Sequence, residues 1–294
     1  MTQVQGLIIN SHGRHFSVEY EGKIYQSTAK GKKTEYVVGD EVLIDIINND
    51  QASITDLVPR KNLIYRSDYY RSKIIASNLS QLLIVVAIKP NFNIGFLDSC
   101  LLCAESSEVT PIIIINKMDL PESAEFALKL RELYANTLGY QVIELSALTN
   151  CSQLEELIFN QQTLLIGQSG VGKSTITNQI CPNANAKTGE IAKYETSGKH
   201  TTTHATLYHI NDSSDLIDCP GLQEFGLYHL DIEQIAWYFP EMREHLGNCK
   251  FHNCLHINEP GCQIKKMVDN NLIAASRYAF YSRIINNLKT KKHY

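Results

Sequence analysis

The chain has 294 residues, 44% hydrophobic and 20% charged, with a net charge of −4, enough apolar material for a real core in one large domain or two to three smaller ones. Its longest apolar runs, 82–88 and 112–115, are far too short to cross a bilayer, and no basic region precedes the apolar residues of the N-terminus, so neither a membrane-spanning helix nor a signal peptide is expected. A cytoplasmic protein is therefore expected, in which the eight cysteines are reduced thiols or metal ligands and not a disulfide framework.

Residues 1–66 carry eight basic and eight acidic side chains and read as all-β. Short runs at 7–10, 15–20, 23–26, 41–47 and 51–57 alternate apolar and polar residues, with Phe16, Val18 and Tyr20 on one face and Val42, Ile44 and Ile46 on another. Gly13, Glu21-Gly22 and Asn48-Asn49-Asp50 supply turns. Five strands in so short a segment predict a small barrel of the OB type, whose open face commonly binds oligonucleotides; an SH3-like barrel has the same pattern. The loop Lys30-Gly31-Lys32-Lys33 is a candidate phosphate contact or a solvated hairpin tip, and Pro59-Arg60-Lys61-Asn62 begins a linker.

Residues 67–224 are acidic, ten basic residues against seventeen acidic. The apolar run 82–87 predicts a central parallel strand, 96–105 a helix and 111–115 a second buried strand. That strand runs into Asn116-Lys117-Met118-Asp119. An aspartate here accepts hydrogen bonds from guanine N1–H and the 2-amino group. Adenine offers neither donor, so a buried Asp119 would discriminate by about 10⁴–10⁵. Asn116 would tie the base loop to the phosphate loop, and the Lys117 stem would cover the base. A helix at 122–138 and a strand at 141–145 lead to Ser146-Ala147-Leu148, the pattern of a second guanine-contacting loop. A helix at 152–159 and a strand at 162–166 come next.

Only then comes the sequence GQSGVGKST: Gly167, Gln168, Ser169, Gly170, Val171, Gly172, Lys173, Ser174 and Thr175. It fits the phosphate-binding P-loop. Glycines let successive N–H groups point at phosphate oxygens, the Lys173 ammonium reaches the β- and γ-phosphates, and the Ser174 hydroxyl ligates Mg²⁺. The following helix, 175–180, turns the positive end of its dipole on the same anion. The long polar stretch 182–204 contains Gly198-Lys199-His200-Thr201-Thr202-Thr203, in which a threonine hydroxyl can complete the Mg²⁺ shell. Of the three, Thr202 is favoured. A hairpin at 206–210 and 214–217 ends in Asp218-Cys219-Pro220-Gly221, a DxxG motif. Asp218 would hold Mg²⁺ through water, and the Gly221 N–H would meet the γ-phosphate.

Ordinary GTPases place the P-loop, threonine switch and DxxG before the two base-binding loops. Here the base-binding loops come first, the order produced by circular permutation, which close-lying domain termini permit. In these motifs, in the HTTT switch and in the cysteine pattern below, the chain resembles the circularly permuted, small-ribosomal-subunit-dependent GTPases of bacteria, over nearly its whole length. The resemblance implies three domains: an OB-type RNA-binding barrel at 1–66, a circularly permuted α/β G domain at 67–224 and a helical zinc-binding domain at 225–294. It also implies the small subunit and its 16S rRNA as partners.

The last domain contains Cys249-x₄-Cys254-x-His256-x₅-Cys262. Three thiolates and one imidazole suit a closed, structural Zn²⁺ site. His252 lies in the same loop as a further possible ligand; the family pattern implies His256. The pair Cys100 and Cys103 reads as a core helix face, and His200 with His204 does not suit a helical metal site. Residues 230–245 and 268–288 read as helices. Nine basic residues oppose six acidic ones over 225–294, and Arg277, Arg283, Lys289, Lys291 and Lys292 are candidate RNA phosphate contacts. Phe280 and Tyr281 read as core residues.

Leu222 stands where Ras-type GTPases carry a water-orienting glutamine, and Gln223 falls one residue later. Slow hydrolysis by the isolated protein is expected. The resemblance implies that His200 takes over water positioning, with stimulation by the small subunit. The catalytic assignment is thus His200, Lys173 and Thr202, acting on GTP in a monomer. Because DxxG leads directly into the zinc domain, GTP and GDP forms are expected to dock that domain differently on RNA. The competing readings are an RNA-binding assembly scaffold in which nucleotide is structural, and a general ATPase, which Asp119 disfavours.

Overall fold

Alternation at the N-terminus closes a five-stranded barrel. The computed structural model describes residues 3–30, 35–67, 72–184, 205–220 and 225–291. Strands β1 (Gln3–His12), β2 (His15–Tyr20), β3 (Lys23–Ala29), β4 (Glu41–Ile46) and β5 (Gln51–Leu57) form the ring β1-β2-β3-β5-β4, with β3 parallel to β5 and β4 returning to β1. This connectivity is the OB type and sets the SH3-like alternative aside. β1 serves two neighbours: residues 3–7 pair with β4 and residues 7–12 with β2. Gly6 sits at the crossing, where a Cβ would lie 2.6 Å from Val18 Cγ1 and 2.8 Å from the Glu19 carbonyl oxygen. Ile8, Phe16, Val18, Tyr25, Val42, Ile44 and Ile54 fill the barrel.

A buried carboxylate ties the barrel to the strands beyond it. Arg60 grips Asp40 with two hydrogen bonds of 2.7 Å, Ser77 Oγ donates to Asp40 at 2.6 Å, and the Val37 N–H at 2.8 Å. With its charge paired and hydrogen-bonded, Asp40 is tolerated at 0% exposure. A hairpin, β6 (Leu63–Ser67) and β7 (Ser72–Ser77), leads to the second sheet.

That sheet has the order β10-β9-β8-β11-β13-β12: β8 (Gln81–Val86), β9 (Thr110–Ile115), β10 (Gln141–Glu144), β11 (Gln162–Gly167), β12 (Thr206–Asn211) and β13 (Ser214–Asp218). The first five are parallel and β12 is antiparallel to β13. β11 lies between β8 and β13, so the strand before the P-loop is central although it is fourth in the chain order of this sheet. Both faces are covered. Leu83, Val85, Ile112, Ile114 and Leu165 pack beneath α3 (Ser152–Ile158) and α4 (Lys173–Ile180). Leu82, Ile84, Ile113, Ile115 and Leu164 face α1 (Ile94–Ser106). The predicted helix 122–138 is α2 (Ser123–Leu130) continued by a π-helical turn, Arg131–Thr137.

α1 is buried on nearly all sides because the C-terminal region packs on its far face. One apolar cluster runs from the sheet through α1 to Phe239, Met242, Ile264, Tyr281 and Ile285. The two long helices predicted here are shorter. Residues 230–245 give only a 3-10 turn, Ile235–Tyr238, and α5 (Pro240–Arg243), because Pro240 cannot continue a helix. Residues 268–288 divide into α6 (Gln263–Asp269) and α7 (Ala275–Lys291), parted at Asn270 and Asn271, the latter at φ 59°.

Arg277 overturns its expected role as an RNA contact: it is 1% exposed. Its guanidinium donates to Asp98 of α1 at 2.8 Å and to Glu241 at 2.7 Å, and lies 4.7 Å over the Phe239 ring. Tyr134 OH also donates to Asp98, at 2.7 Å. Burial pushes the Asp98 carboxyl up, and Arg277 and Tyr134 oppose that shift. Arg277→Met should cost about 3–5 kcal/mol, since it leaves two buried carboxylates without their cation. A urea-unfolding midpoint equal to wild type would remove the network as the tie between α7 and α1.

A second contact joins barrel and sheet at the surface. His209 on β12 bonds Glu19 on β2 through Nε2 and Asp215 on β13 through Nδ1, each at 2.6 Å. Partial burial opposes the imidazolium, but both carboxylates favour it and the pKa is raised. The contact is therefore fully present below the usual histidine value and fades as pH rises through the elevated one. For so exposed a group the contribution should be at most about 1 kcal/mol. The difference in thermal midpoint between wild type and His209→Gln should shrink as pH is raised through this range; a constant difference would contradict the assignment.

Candidate nucleotide site and metal centre

The central strands β8, β9 and β11 end together, and the loops after them meet. Asn116 sits at the junction, 2% exposed. Its Nδ2 donates to the Val171 carbonyl at 2.8 Å, and its Oδ1 accepts from the Ala147 N–H at 2.9 Å. One side chain thus binds the P-loop to the Ser146-Ala147-Leu148 loop. Lys117, at φ 66°, donates through Nζ to the Gly170 carbonyl at 2.7 Å and the Lys89 carbonyl at 3.0 Å. Met118 N–H bonds the Leu145 carbonyl at 3.2 Å, fixing the turn on which Asp119 stands. Ser146 Oγ donates to the Asp119 carboxylate. Asp119 itself is exposed.

The P-loop turns through two left-handed glycines, Gly170 at φ 80° and Gly172 at φ 104°. At Gly172 a Cβ would fall 2.2 Å from Asn116 Nδ2, so glycine is required both by the turn and by Asn116. α4 starts at Lys173 with Gly172 as its cap, presenting Ser174 and Thr175 in the first turn. Lys173 is buried, which lowers its pKa, and its Nζ donates to the Gly167 and Gln168 carbonyls at 2.8 and 3.0 Å, keeping the ammonium across the mouth of the loop.

Asp218 pairs in register with Leu165 of β11, so the DxxG motif arises beside the P-loop. Thr177 Oγ1 donates to Asp218 at 3.2 Å, and burial pushes that carboxyl up to about 6 against the pull of Lys173. Thr177 escaped the sequence reading, although its place one turn beyond Ser174 on the same helix face was visible. His200, Thr202, Gly221, Leu222, Gln223 and Lys292, with Lys32 and Lys33 of the barrel loop and the side chain of Lys291, lie outside the described residues. Arg283 is exposed and Lys289 half-buried on α7, while Phe280 and Tyr281 are buried in the core.

The described segment that begins at Phe225 bonds the end of β6. Ser67 N–H bonds the Gly226 carbonyl at 3.1 Å, and Ser67 Oγ meets His229 Nδ1 at 2.8 Å. A Cβ on Gly226 would lie 1.7 Å from the Ser67 carbonyl oxygen. The β6–β7 hairpin is thereby stitched to the segment that leaves the DxxG loop.

The cysteine cluster assembles as its spacing suggests. Donor atoms of Cys249, Cys254, His256 and Cys262 all lie within 4.8 Å of one another. Cys249 Sγ is 4.0 Å from Cys262 Sγ, and His256 Nδ1 is 3.5 and 3.4 Å from these two sulfurs. A tetrahedron with Zn–S bonds of about 2.3 Å has S···S edges of about 3.8 Å, so the donor set fits Zn²⁺. His256 reaches inward at φ 56°, and Gly261 turns the chain back at φ 70°. His252 is not part of this group. Glu259 accepts the N–H groups of Leu255, Ile257 and Asn258, and Tyr278 and Tyr281 of α7 donate to the His256 and Leu255 carbonyls at 2.7 and 2.9 Å. Ser174 and Asp218 carry hard oxygen donors of the kind Mg²⁺ prefers and could hold it beside a nucleotide.

Comparison with known proteins agrees with this geometry. The sequence model of the RsgA GTPase family matches residues 57–228. A small ribosomal subunit biogenesis GTPase RsgA of Neisseria meningitidis is 43% identical over 96% of this chain and 91% of its own length. One from Nitrosomonas europaea is 42% identical over 99% and 94%. Among solved structures, YjeQ from Thermotoga maritima superposes with a TM-score of 0.74 at 26% identity, covering 98% of this chain and 99% of that one. YloQ, described as a circularly permuted GTPase, gives 0.71 at 25% identity, covering 99% and 96%.

Proposed function

Since the chain belongs to the RsgA GTPase family, we propose that it hydrolyses GTP as a late assembly factor of the small ribosomal subunit, slowly alone and faster on the subunit. The observation that carries the nucleotide half of this reading is Asn116, which joins the guanine-binding loops to the P-loop through Val171 and Ala147. The ribosomal half rests on family membership.

In the proposed reaction water attacks the γ-phosphorus, the bond to the bridging oxygen breaks, and GDP and phosphate leave. Lys173 neutralises the growing charge on the β- and γ-oxygens, and the P-loop N–H groups and the start of α4 hold the phosphates. Asp119, Ser146 and Ala147 fix the base, with Lys117 over it. Ser174, Thr202 and Asp218 would hold Mg²⁺, which would supply positive charge against the phosphate oxygens. His200 positions the water as a neutral imidazole. One structural zinc at Cys249, Cys254, His256 and Cys262 holds the C-terminal unit, which with the barrel contacts 16S rRNA. The protein acts as a cytoplasmic monomer. GTP and GDP forms differ in docking because the segment after Gly221 connects to both the β6–β7 hairpin and the zinc unit.

GTP turnover with and without purified small subunits tests the reading. The expected result is strong stimulation by subunits and a loss of about 10²–10⁴-fold of that stimulated rate in His200→Ala, the range for a general acid–base or water-positioning group. Nucleotide binding with no subunit-stimulated turnover would favour the scaffold reading. Full stimulated activity in His200→Ala would remove the histidine from the mechanism.

A further inference from the structure

A cleft of about 730 Å³ opens between the C-terminal end of α1 and the 3-10 turn at Ile235–Tyr238. Its walls include Glu105, Glu108, Gln234, Trp237, Tyr238 and Arg243. None of these residues belongs to the nucleotide site or the zinc centre.

Three features set the cleft apart from ordinary surface. Trp237, the chain's only tryptophan, is 58% exposed, a large aromatic surface that folding leaves in water. Glu108 is held at φ 56°, a left-handed conformation where glycine or asparagine is favoured, and its side chain is exposed. Arg243 already shows how a guanidinium sits here. Its Nε donates to the Trp237 carbonyl at 2.7 Å, its Cζ lies 6.0 Å from the indole centre, and it pairs with Glu105.

The cleft therefore contains aromatic rings and two carboxylates against a single cation, and Glu105 neutralises that cation. Glu108 pairs with no cation among the described residues. Such a surface attracts a second guanidinium or ammonium, by cation–π contact with Trp237 or Tyr238 and by charge with Glu108. It repels a phosphate backbone. We propose that this cleft is a docking site for an arginine- or lysine-rich peptide segment of a partner protein.

Trp237 makes the test direct, since its emission reports on the cleft alone. The full-length protein is titrated with a short arginine–glycine peptide, and separately with a single-stranded RNA oligonucleotide. The expected result is a saturable change in tryptophan emission with the peptide and none with RNA. Glu108→Gln should weaken peptide binding about fivefold, the size of one exposed cation–π or ion-pair contact. Glu125→Gln, which removes an exposed carboxylate on α2, should leave it unchanged. Trp237→Phe, read by anisotropy of labelled peptide, should weaken binding to a similar degree. No saturable change, equal weakening by Glu125→Gln, or saturation by RNA in place of peptide would overturn the proposal.

Discussion

Asp119→Ala is expected to lower the affinity for GTP about 10²–10⁴-fold and to erase most of the preference for GTP over ATP. Two hydrogen bonds from guanine to a carboxylate, at about 1.5–3 kcal/mol each, set that range. The side chain's exposure favours the lower end. A fully buried aspartate facing adenine would be stripped of water and left unpaired. Asp119 stands at the open end of its turn, held by Ser146. Water can still reach it, so part of the penalty against ATP is relieved. Ser146→Ala should have a smaller effect of the same kind, since it removes the group that orients the carboxylate and not the carboxylate itself. Equilibrium binding of GTP and ATP to wild type and both variants measures this. An Asp119→Ala protein that still prefers GTP would remove the 116–119 loop from base recognition.

Local pattern and motif chemistry were legible in the sequence, and long-range pairing was not. The strand at 51–57 and the alternation of Phe16 with Val18 are local consequences of a two-residue period, and the structure reproduces them. The β8, β9 and β11 strands could be read because both sheet faces are covered, which demands continuous apolar runs. Pro240 and Asn270-Asn271 show where periodicity misled: apolar residues persist across both breaks because the segments on each side pack on the same core. Arg277 shows the opposite failure. In a basic C-terminal stretch it looks like its neighbours, and Asp98 is 179 residues away. Only the packing of α7 on α1 distinguishes it from the exposed Arg283. Asp40 and Arg60 are a similar pair, ordinary in sequence and joined in the fold, the aspartate buried and the arginine half-buried. At the nucleotide site the motifs identified residues by type, while Thr177 and Gly226 act through contacts that a motif does not contain.

Removal of zinc should disorganise more than the zinc loop. In isolated small domains a structural zinc contributes about 10–16 kcal/mol, enough to decide whether the unit folds. Here two carbonyls of the loop are held by Tyr278 and Tyr281 of α7. Loss of the metal leaves three close thiols and an imidazole with nothing to hold them together, and α7 loses its partners at those two tyrosines. α7 also supplies Arg277, the cation for Asp98 inside α1. The disturbance therefore reaches the helix that covers one face of the nucleotide-binding sheet. The opposite face, with α3 and α4, packs in a separate apolar cluster and should persist longer. Cys262→Ser and treatment with a strong chelator should each release about one zinc per chain, lower the thermal midpoint, and weaken GTP binding less than they weaken the fold of the C-terminal region. Metal content, thermal unfolding followed by circular dichroism, and GTP affinity on the same samples separate these effects. A Cys262→Ser protein with wild-type metal content and midpoint would show that the cluster does not bind the metal. A large loss of midpoint with the C-terminal region unfolding alone, and the sheet unaffected, would show that the Arg277–Asp98 tie does not couple the two.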